Sequence, residues 1–192
     1  MDFHLIYWGS LKANGGLYNA HEIRKFLHPQ LKALWKSDHR LQRLENELEL
    51  FQPINTPGGG LDTWLNVLSR KFSRCGLKFV PLVTKELRLA CRMEILLLTR
   101  EEISPISGTD IDNRLKTLFD ALRVPTECDS ISKIEESPFF CLLEDDRLIT
   151  DVRVSTAKLL LPDGDIPLPK HVVLIMNVHV YPTSLSQTNL GF

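Results

Sequence analysis

The sequence predicts an α+β fold in which a small mixed β-sheet packs with several helices. Apolar residues at every second position of 87–95, with Arg88, Arg92 and Glu94 between them, indicate a half-buried strand. Apolar residues at three- and four-residue spacing indicate helices at 23–48, 61–72 and 112–122. The chain contains no internal repeat and no composition shift that marks a boundary. We therefore expect one domain that spans residues 1–192.

The elements follow a simple order along the chain. An apolar first strand at 3–8 ends in a turn rich in asparagine and glycine. The long helical stretch that follows contains Pro29, where we expect a kink or a break. Residues 53–60 form a glycine-rich loop that lacks the Lys-Ser/Thr of a phosphate-binding loop. Two further strands and a polar tail complete the prediction, at 148–161, 172–181 and 182–192.

The composition is that of an ordinary globular protein, with 43% hydrophobic and 24% charged residues. Charges interrupt every apolar run well before the roughly 20 residues that a membrane span needs. The first residues lack the basic and apolar parts of a signal peptide, so we expect a cytoplasmic protein with no membrane partner. The four cysteines form no CxxC pair and the six histidines no HxxxH pair, so the spacing predicts no zinc site.

The net charge of −1 argues against a dedicated DNA-binding module, which is usually basic. Basic residues nevertheless concentrate in two stretches, at 24–43 and 70–85, and the second contains no acid. Local basic surfaces can bind phosphates when the total charge is near zero. The alternative is that these stretches are solvated helix faces. The expected nucleic-acid contacts are Arg70, Lys71, Arg74, Lys78, Lys32 and Lys36.

The segment 108–122 carries the most informative motif, Asp-x-Asp-Asn-x-x-Lys. We expect the chain to enter this segment in an extended conformation, in which residues two apart lie on the same side. Asp110 and Asp112 could then present both carboxylates to one cation, and Mg²⁺ and Mn²⁺ prefer oxygen ligands of this kind. Asp112 is expected to open a helix, which places Lys116 one turn later on the same side. A lysine at this position could neutralise a scissile phosphate or orient the attacking water.

A second acidic cluster, Glu144-Asp145-Asp146, directly precedes the strand predicted from residue 148. Asp146 is the candidate third metal ligand, and Asp145 is its alternative. These aspartates also have an ordinary structural interpretation. An aspartate at a helix start is often an N-cap, and a pair of aspartates before a strand often forms a turn.

Taken together, the two acidic motifs resemble the RusA family of Holliday-junction resolvases. The matching residues are Asp110, Asp112, Asn113, Lys116, Asp120, Ala121 and Leu122, followed by Asp145, Asp146, Asp151, Arg153 and Val154. The resemblance implies a RusA-like α+β fold and a Mg²⁺- or Mn²⁺-dependent endonuclease that cuts DNA, Holliday junctions included. It implies that Asp110, Asp112 and Asp146 bind the metal. Lys116 would be the catalytic lysine, and Asn113 and Asp120 would support the site or the helix.

The resemblance also implies a homodimer. The candidate interfaces are the apolar strand at 172–176 and the long N-terminal helical stretch.

Two departures from the family pattern weaken the expectation of a four-way junction as the substrate. Acidic and then neutral residues occupy 101–108, where founding members of the family carry arginines. An acidic insertion at 123–144 separates the motif helix from the Asp145-Asp146 pair. Because carboxylates repel phosphate, we expect this insertion to narrow access to Asp146.

Two classes of function fit these features. The complete set of three aspartates and one lysine favours a nuclease, acting on DNA or RNA and on branched or linear substrates. The near-neutral charge and the missing arginines favour a non-catalytic nucleic-acid-binding or regulatory protein on a nuclease-like scaffold, for example in a phage or defence system.

Overall fold

A computed structural model describes residues 1–51, 60–74, 76–99, 108–127, 136–160 and 171–192. In chain order the elements are β1 (Asp2–Ser10), α1 (Gly16–Ser37), α2 (His39–Asn46), β2 (Glu49–Phe51), β3 (Gly60–Asp62), α3 (Trp64–Lys71), β4 (Ser73–Arg74), β5 (Leu77–Val83), β6 (Leu89–Thr99), α4 (Gly108–Leu122), β7 (Phe139–Leu143), a 3-10 turn (Asp146–Leu148), β8 (Ile149–Lys158) and β9 (His171–Pro182). The predicted α+β class is confirmed, although the described strands form two mixed sheets and a short hairpin rather than one sheet.

The larger sheet has the strand order β1-β9-β6-β8. β9 runs antiparallel to both of its neighbours, whereas β8 runs parallel to β6. Met93 of β6 lies opposite Val178 of β9 on one side and Val152 of β8 on the other. The four strands that the sequence predicts at 3–8, at 87–95 and in the last quarter of the chain are therefore all present in this sheet.

One face of the larger sheet belongs to the buried core. In β9 every second residue from Val172 to Val180 is buried, and β6 alternates in the same way. These side chains join the apolar face of α1 in a single core. None of the helices in the described ranges has the length and hydropathy needed to cross a membrane.

Neither of the apolar segments proposed as dimer interfaces is available in the expected way. β9 lies between two partner strands, and Val172, Leu174 and Met176 of its apolar segment are buried inside the chain. The apolar face of α1 is likewise part of the core. These residues are apolar because they fill the interior, so an interface must use other surfaces.

α1 runs through Pro29 to Ser37 as one helix, so a break at this proline is absent. A proline inside a helix costs one backbone hydrogen bond and crowds the preceding turn. Leu27 and Leu31, which flank Pro29, are almost fully buried. Their packing against the core offsets the local cost and keeps the helix continuous.

The smaller sheet ties the region after α4 to the core. β7 runs parallel to β5, and all five residues of β7 are buried. The Val124 N–H donates to the Leu143 carbonyl at 2.9 Å, which joins the end of α4 to the end of β7. The last part of the predicted insertion at 123–144 is therefore a core strand, and residues 128–135 lie outside the described part of the chain.

Residues 183–192, predicted as a polar tail, fold back onto the protein. Asn189 is fully buried, and its Nδ2 donates to the carbonyls of Leu87 and Ser184 at 3.0 and 2.8 Å. Arg43 of α2 donates to the Thr188 carbonyl at 2.9 Å. The segment is mostly exposed, and Asn189 and the contacts with α2 hold it against the protein.

Candidate metal site and its surroundings

α4 begins at Gly108, one turn before the start that the sequence predicts. Asp110 and Asp112 are therefore both helical, and helical positions two apart lie on different faces. The expectation that they share one side of an extended segment is wrong for the backbone, and the Asp110 side chain lies outside the described residues. Ile111 extends the apolar spacing of Leu115 and Leu118 back by one turn, which explains the earlier start.

The two faces of α4 have opposite character. Leu118, Ala121 and Leu122 are each at most 1% exposed and face the core. Asp112 and Lys116 are exposed, and their four-residue spacing places them on one face. The predicted placement of the lysine one turn after Asp112 is confirmed.

The Asp145-Asp146 pair divides into a structural and an exposed carboxylate. Asp145 caps the 3-10 turn: its Oδ1 accepts the Arg147 N–H and Nε–H, each at 2.9 Å, and its Oδ2 accepts Nη2 at 2.6 Å. These hydrogen bonds to Arg147 hold the pKa of Asp145 well below its usual range. Asp146, the next residue, is exposed. The turn that carries it lies against α4 and β6.

Asp120 and Asn113, expected beside the site, make local contacts within α4. The Asp120 carboxylate accepts Nε–H of Arg123 at 3.0 Å and Nη2–H at 2.5 Å. The Asn113 carbonyl accepts the Thr117 hydroxyl at 3.2 Å, and the same hydroxyl accepts the Gly15 N–H at 3.1 Å. Asp120 therefore closes the last turn of the helix, and Thr117 joins α4 to the start of α1.

Arg24 is a positioning residue for α4 that the sequence analysis did not single out. It is 4% exposed, and its guanidinium donates from Nε to the Arg123 carbonyl at 3.1 Å and from Nη2 to the Asp120 carbonyl at 2.5 Å. It thereby satisfies carbonyls that the helix end leaves unpaired. Burial lowers its pKa, and the residue is not available to phosphate. No local sequence signal could identify this role, because Arg24 and Arg123 are 99 residues apart.

Replacing Arg24 by Met is expected to lower the free energy of unfolding by about 3 kcal/mol, because two buried carbonyls lose charged donors. The aliphatic stem is kept, so the loss reports the guanidinium. Lys36→Met, at an exposed position of the same helix, is the matched control and should change stability by less than about 0.5 kcal/mol. Urea unfolding followed by circular dichroism measures both. Equal stabilities of the two variants would contradict the positioning role of Arg24.

His28 ties the end of the predicted insertion to α1. Its Nδ1 accepts the Phe140 N–H at 2.9 Å, and its Nε2 bonds to Glu136 Oε2 at 2.9 Å. Lys32 forms an ion pair with the same carboxylate. The His28 ring stacks on Phe139 with 4.1 Å between centroids. Burial lowers the pKa of His28 below its ordinary value of 6.5.

This lowered pKa predicts that stability falls as the pH drops below about 7. The unfolded chain takes up the proton first, because its histidine keeps the higher pKa, so acid favours unfolding. The free energy of unfolding, measured by urea titration between about pH 5.5 and 7.5, is expected to rise with pH. His28→Asn, whose amide oxygen lies as far from the backbone as Nδ1 and can accept the Phe140 N–H, should flatten this slope. A slope that is unchanged in the variant would assign the pH dependence to other groups.

The six basic residues expected to contact nucleic acid are only partly available. Arg70 forms an ion pair with Asp62, and Lys71 forms one with Glu86. The Arg70 side chain is 63% exposed and the Lys71 side chain is 45% exposed. Their carboxylate partners are less exposed, at 19% for Asp62 and 28% for Glu86, so phosphate would have to compete with these ion pairs. The remaining residues are Lys32, paired with Glu136, and Arg74, Lys78 and Lys36, which are exposed.

The described side chains supply two of the three expected metal ligands. Within the described ranges no three His, Cys, Asp or Glu residues form a group that could hold a metal ion. Asp112 and Asp146 are exposed carboxylates on adjacent elements, and carboxylate oxygens are the ligands that Mg²⁺ and Mn²⁺ take. Their chemistry fits a hard divalent cation, and a full site needs Asp110 as well.

Comparison of the chain with protein-family models finds no match. Neither the curated proteins nor the solved structures include a match.

Proposed function

We propose that this protein is a cytoplasmic, RusA-like endonuclease that uses Mg²⁺ or Mn²⁺ to hydrolyse phosphodiester bonds of DNA. The observation that carries the proposal is the arrangement around α4. Asp112 and Lys116 share its exposed face, and the exposed Asp146 is on a turn that lies against the same helix. An exposed lysine one turn after an exposed aspartate suits a site that handles a cation and a phosphate together.

Asp110, Asp112 and Asp146 are the residues that would hold the cation. When bound, Mg²⁺ or Mn²⁺ supplies polarisation of the scissile phosphate and a lowered pKa of its bound water. Asp145 is the weaker candidate for the third ligand, because Arg147 already occupies both of its oxygens. A carboxylate in that state would have to give up a charged partner before it could bind a metal.

The protein's side chains would contribute to the reaction through their positions and their charges. Lys116 places a cation beside the carboxylates, where it stabilises the negative charge that develops on a phosphate under attack. Arg24 and Thr117 hold α4, the helix that carries this lysine, against α1. Asp145 and Arg147 hold the turn that presents Asp146. Each of these contacts is made before a substrate arrives, so little reorganisation accompanies the reaction.

Salt dependence provides a test of the expected DNA contacts. Changing Arg70, Lys71 and Arg74 together to Ala should weaken binding equally for all sequences. It should lower the slope of log K against log salt by about 3, since each duplex phosphate contact contributes about 0.9. Fluorescence anisotropy at several salt concentrations measures the slope. A loss of affinity for one sequence alone, with an unchanged slope, would contradict phosphate binding by this group.

The alternative function, a non-catalytic binding or regulatory protein, is favoured by one observation. Several of the expected phosphate-binding cations are already paired with carboxylates, namely Lys32, Arg70 and Lys71. Such pairing reduces the electrostatic attraction of DNA, which a nuclease normally uses.

A cleavage assay separates the two functions. The purified protein is incubated with a four-way junction, a flap, a linear duplex and single-stranded DNA and RNA, in Mg²⁺, in Mn²⁺ and in EDTA. The proposal predicts cleavage of at least one DNA substrate with either metal and none in EDTA. Binding without cleavage under all metal conditions would favour the alternative, and unchanged cleavage in EDTA would contradict metal dependence. The resemblance further implies that the active form is a homodimer.

A further inference from the structure

Strand β8 forms one edge of the larger sheet, and β6 is its sole partner among the described strands. Seven of its ten residues are exposed, and it contains no proline. The backbone N–H and C=O groups along the outer edge of such a strand can pair with another strand. β8 is therefore a place where the sheet can be extended.

The opposite edge of the same sheet is blocked by a side chain. Gln30 of α1 donates from Nε2 to the Ile6 carbonyl at 2.7 Å, and its Oε1 accepts the Ile6 N–H at 2.9 Å. Its amide thus occupies backbone groups of β1 that an added strand would use. Within the part of the chain that the structure describes, the two edges therefore differ, because β8 has no such side-chain contact on its outer edge.

The charged residues of β8 indicate which strand can pair with its outer edge. Asp151 and Arg153 lie on one face of the strand, and in β6 they lie opposite Arg92 and Glu94 respectively. Each β8 charge therefore already faces an opposite charge in its own chain. A second β8 that pairs antiparallel about Val152 would bring Asp151 of each copy opposite Arg153 of the other, which adds two favourable cross-strand pairs.

We propose that two copies of this chain associate through antiparallel pairing of their β8 strands, with Val152 of one copy opposite Val152 of the other. The paired segment runs from Ile149 to Ser155, and a row of alternating charges crosses the joined sheet. The interface is independent of the proposed nuclease activity, because it requires neither a metal nor DNA. Asp146→Asn, which should abolish cleavage, should leave the dimer intact, so the two proposals fail separately.

Neighbouring registers are less favourable. Pairing about Asp151 places two aspartates opposite each other, and pairing about Arg153 places two arginines opposite each other. Like charges directly opposite are destabilising. Pairing about Val154 leaves both charges opposite uncharged residues. Of these four registers, the one centred on Val152 alone gives every charge between 149 and 155 an opposite partner.

The first test is a charge exchange between two variants. Light scattering is expected to give a dimer of the wild type at about 50 μM, and Asp151→Lys and Arg153→Glu should each weaken dimerisation about tenfold or more. An equimolar mixture of the two variants should dimerise again, because the lysine introduced in one copy then faces the glutamate introduced in the other. Lys158→Glu, a charge reversal on the same strand outside the paired segment, is the control and should remain dimeric. Monomeric wild type, variants that dimerise normally, or a mixture that stays monomeric would each overturn the proposal.

The second test uses milder substitutions and reads the register directly. Under mild oxidation Val152→Cys is expected to form a covalent dimer, because the two residues are adjacent across the axis. Val154→Cys should not, because four residues of strand, about 13 Å, separate the two positions and a disulfide needs Cα atoms within about 7 Å. The described native cysteines, Cys91 and Cys141, are buried, and the wild type serves as the control. Cross-linking of Val154→Cys but not Val152→Cys, or of neither, would overturn the proposed register.

Discussion

Asp146→Asn is expected to lower the rate of metal-dependent cleavage by about 10³-fold or more while the protein stays folded. Asp146 is exposed at the first position of the 3-10 turn, so neutralising it removes no packing. Asp112→Asn should have the same effect, since Asp112 is also exposed and lies on the adjacent helix. Single-turnover rates at saturating Mg²⁺ measure the loss, and circular dichroism confirms the fold.

Asp145→Asn is the matched control for this prediction, because it changes the neighbouring carboxylate by the same single oxygen-to-nitrogen replacement. Its carboxylate is held by Arg147, and asparagine can still cap the turn. We expect cleavage within about tenfold of the wild type and a stability loss of at most about 1 kcal/mol. Full activity of Asp146→Asn together with an inactive Asp145→Asn would reverse the assignment of the third ligand.

Lys116→Ala is expected to lower kcat by about 10²- to 10³-fold, since a charge aimed at the developing phosphate charge is removed. The affinity for Mg²⁺ should stay the same or rise, because a cation beside a metal site opposes metal binding. This combination separates a catalytic lysine from one that only shapes the site. Lys158→Ala, at an exposed position of β8 that is not among the expected DNA contacts, should change neither quantity. Wild-type turnover of Lys116→Ala would make this residue a surface lysine.

The strands of the larger sheet could be predicted because one face of that sheet is buried. Alternation along β6 and β9 follows directly from the two sides of the strand. β7 lacks this signal, because all five of its residues are buried and its sequence is a continuous apolar run. Because this run lies within an acidic stretch, the sequence predicts it as part of an insertion. Its role as a core strand depends on pairing with β5, a strand far earlier in the chain.

Part of the candidate site could also be predicted from a local sequence pattern. Helical spacing places Asp112 and Lys116 together, because that relationship is local. The predicted helix start at Asp112 is wrong, because Ile111 continues the apolar face and the helix begins at Gly108. The division of roles between Asp145 and Asp146 depends on the direction of the Arg147 side chain, which the sequence does not specify.

Metal binding by the isolated protein is the measurement that tests the central claim most directly. Calorimetric titration with Mn²⁺ and Mg²⁺ is expected to show saturable binding to the wild type, and Asp112→Asn and Asp146→Asn should each weaken it by about tenfold or more. Asp145→Asn should bind as the wild type does. No saturable binding at millimolar metal, or equal binding by the wild type and the Asp112 and Asp146 variants, would contradict a metal site formed by these aspartates.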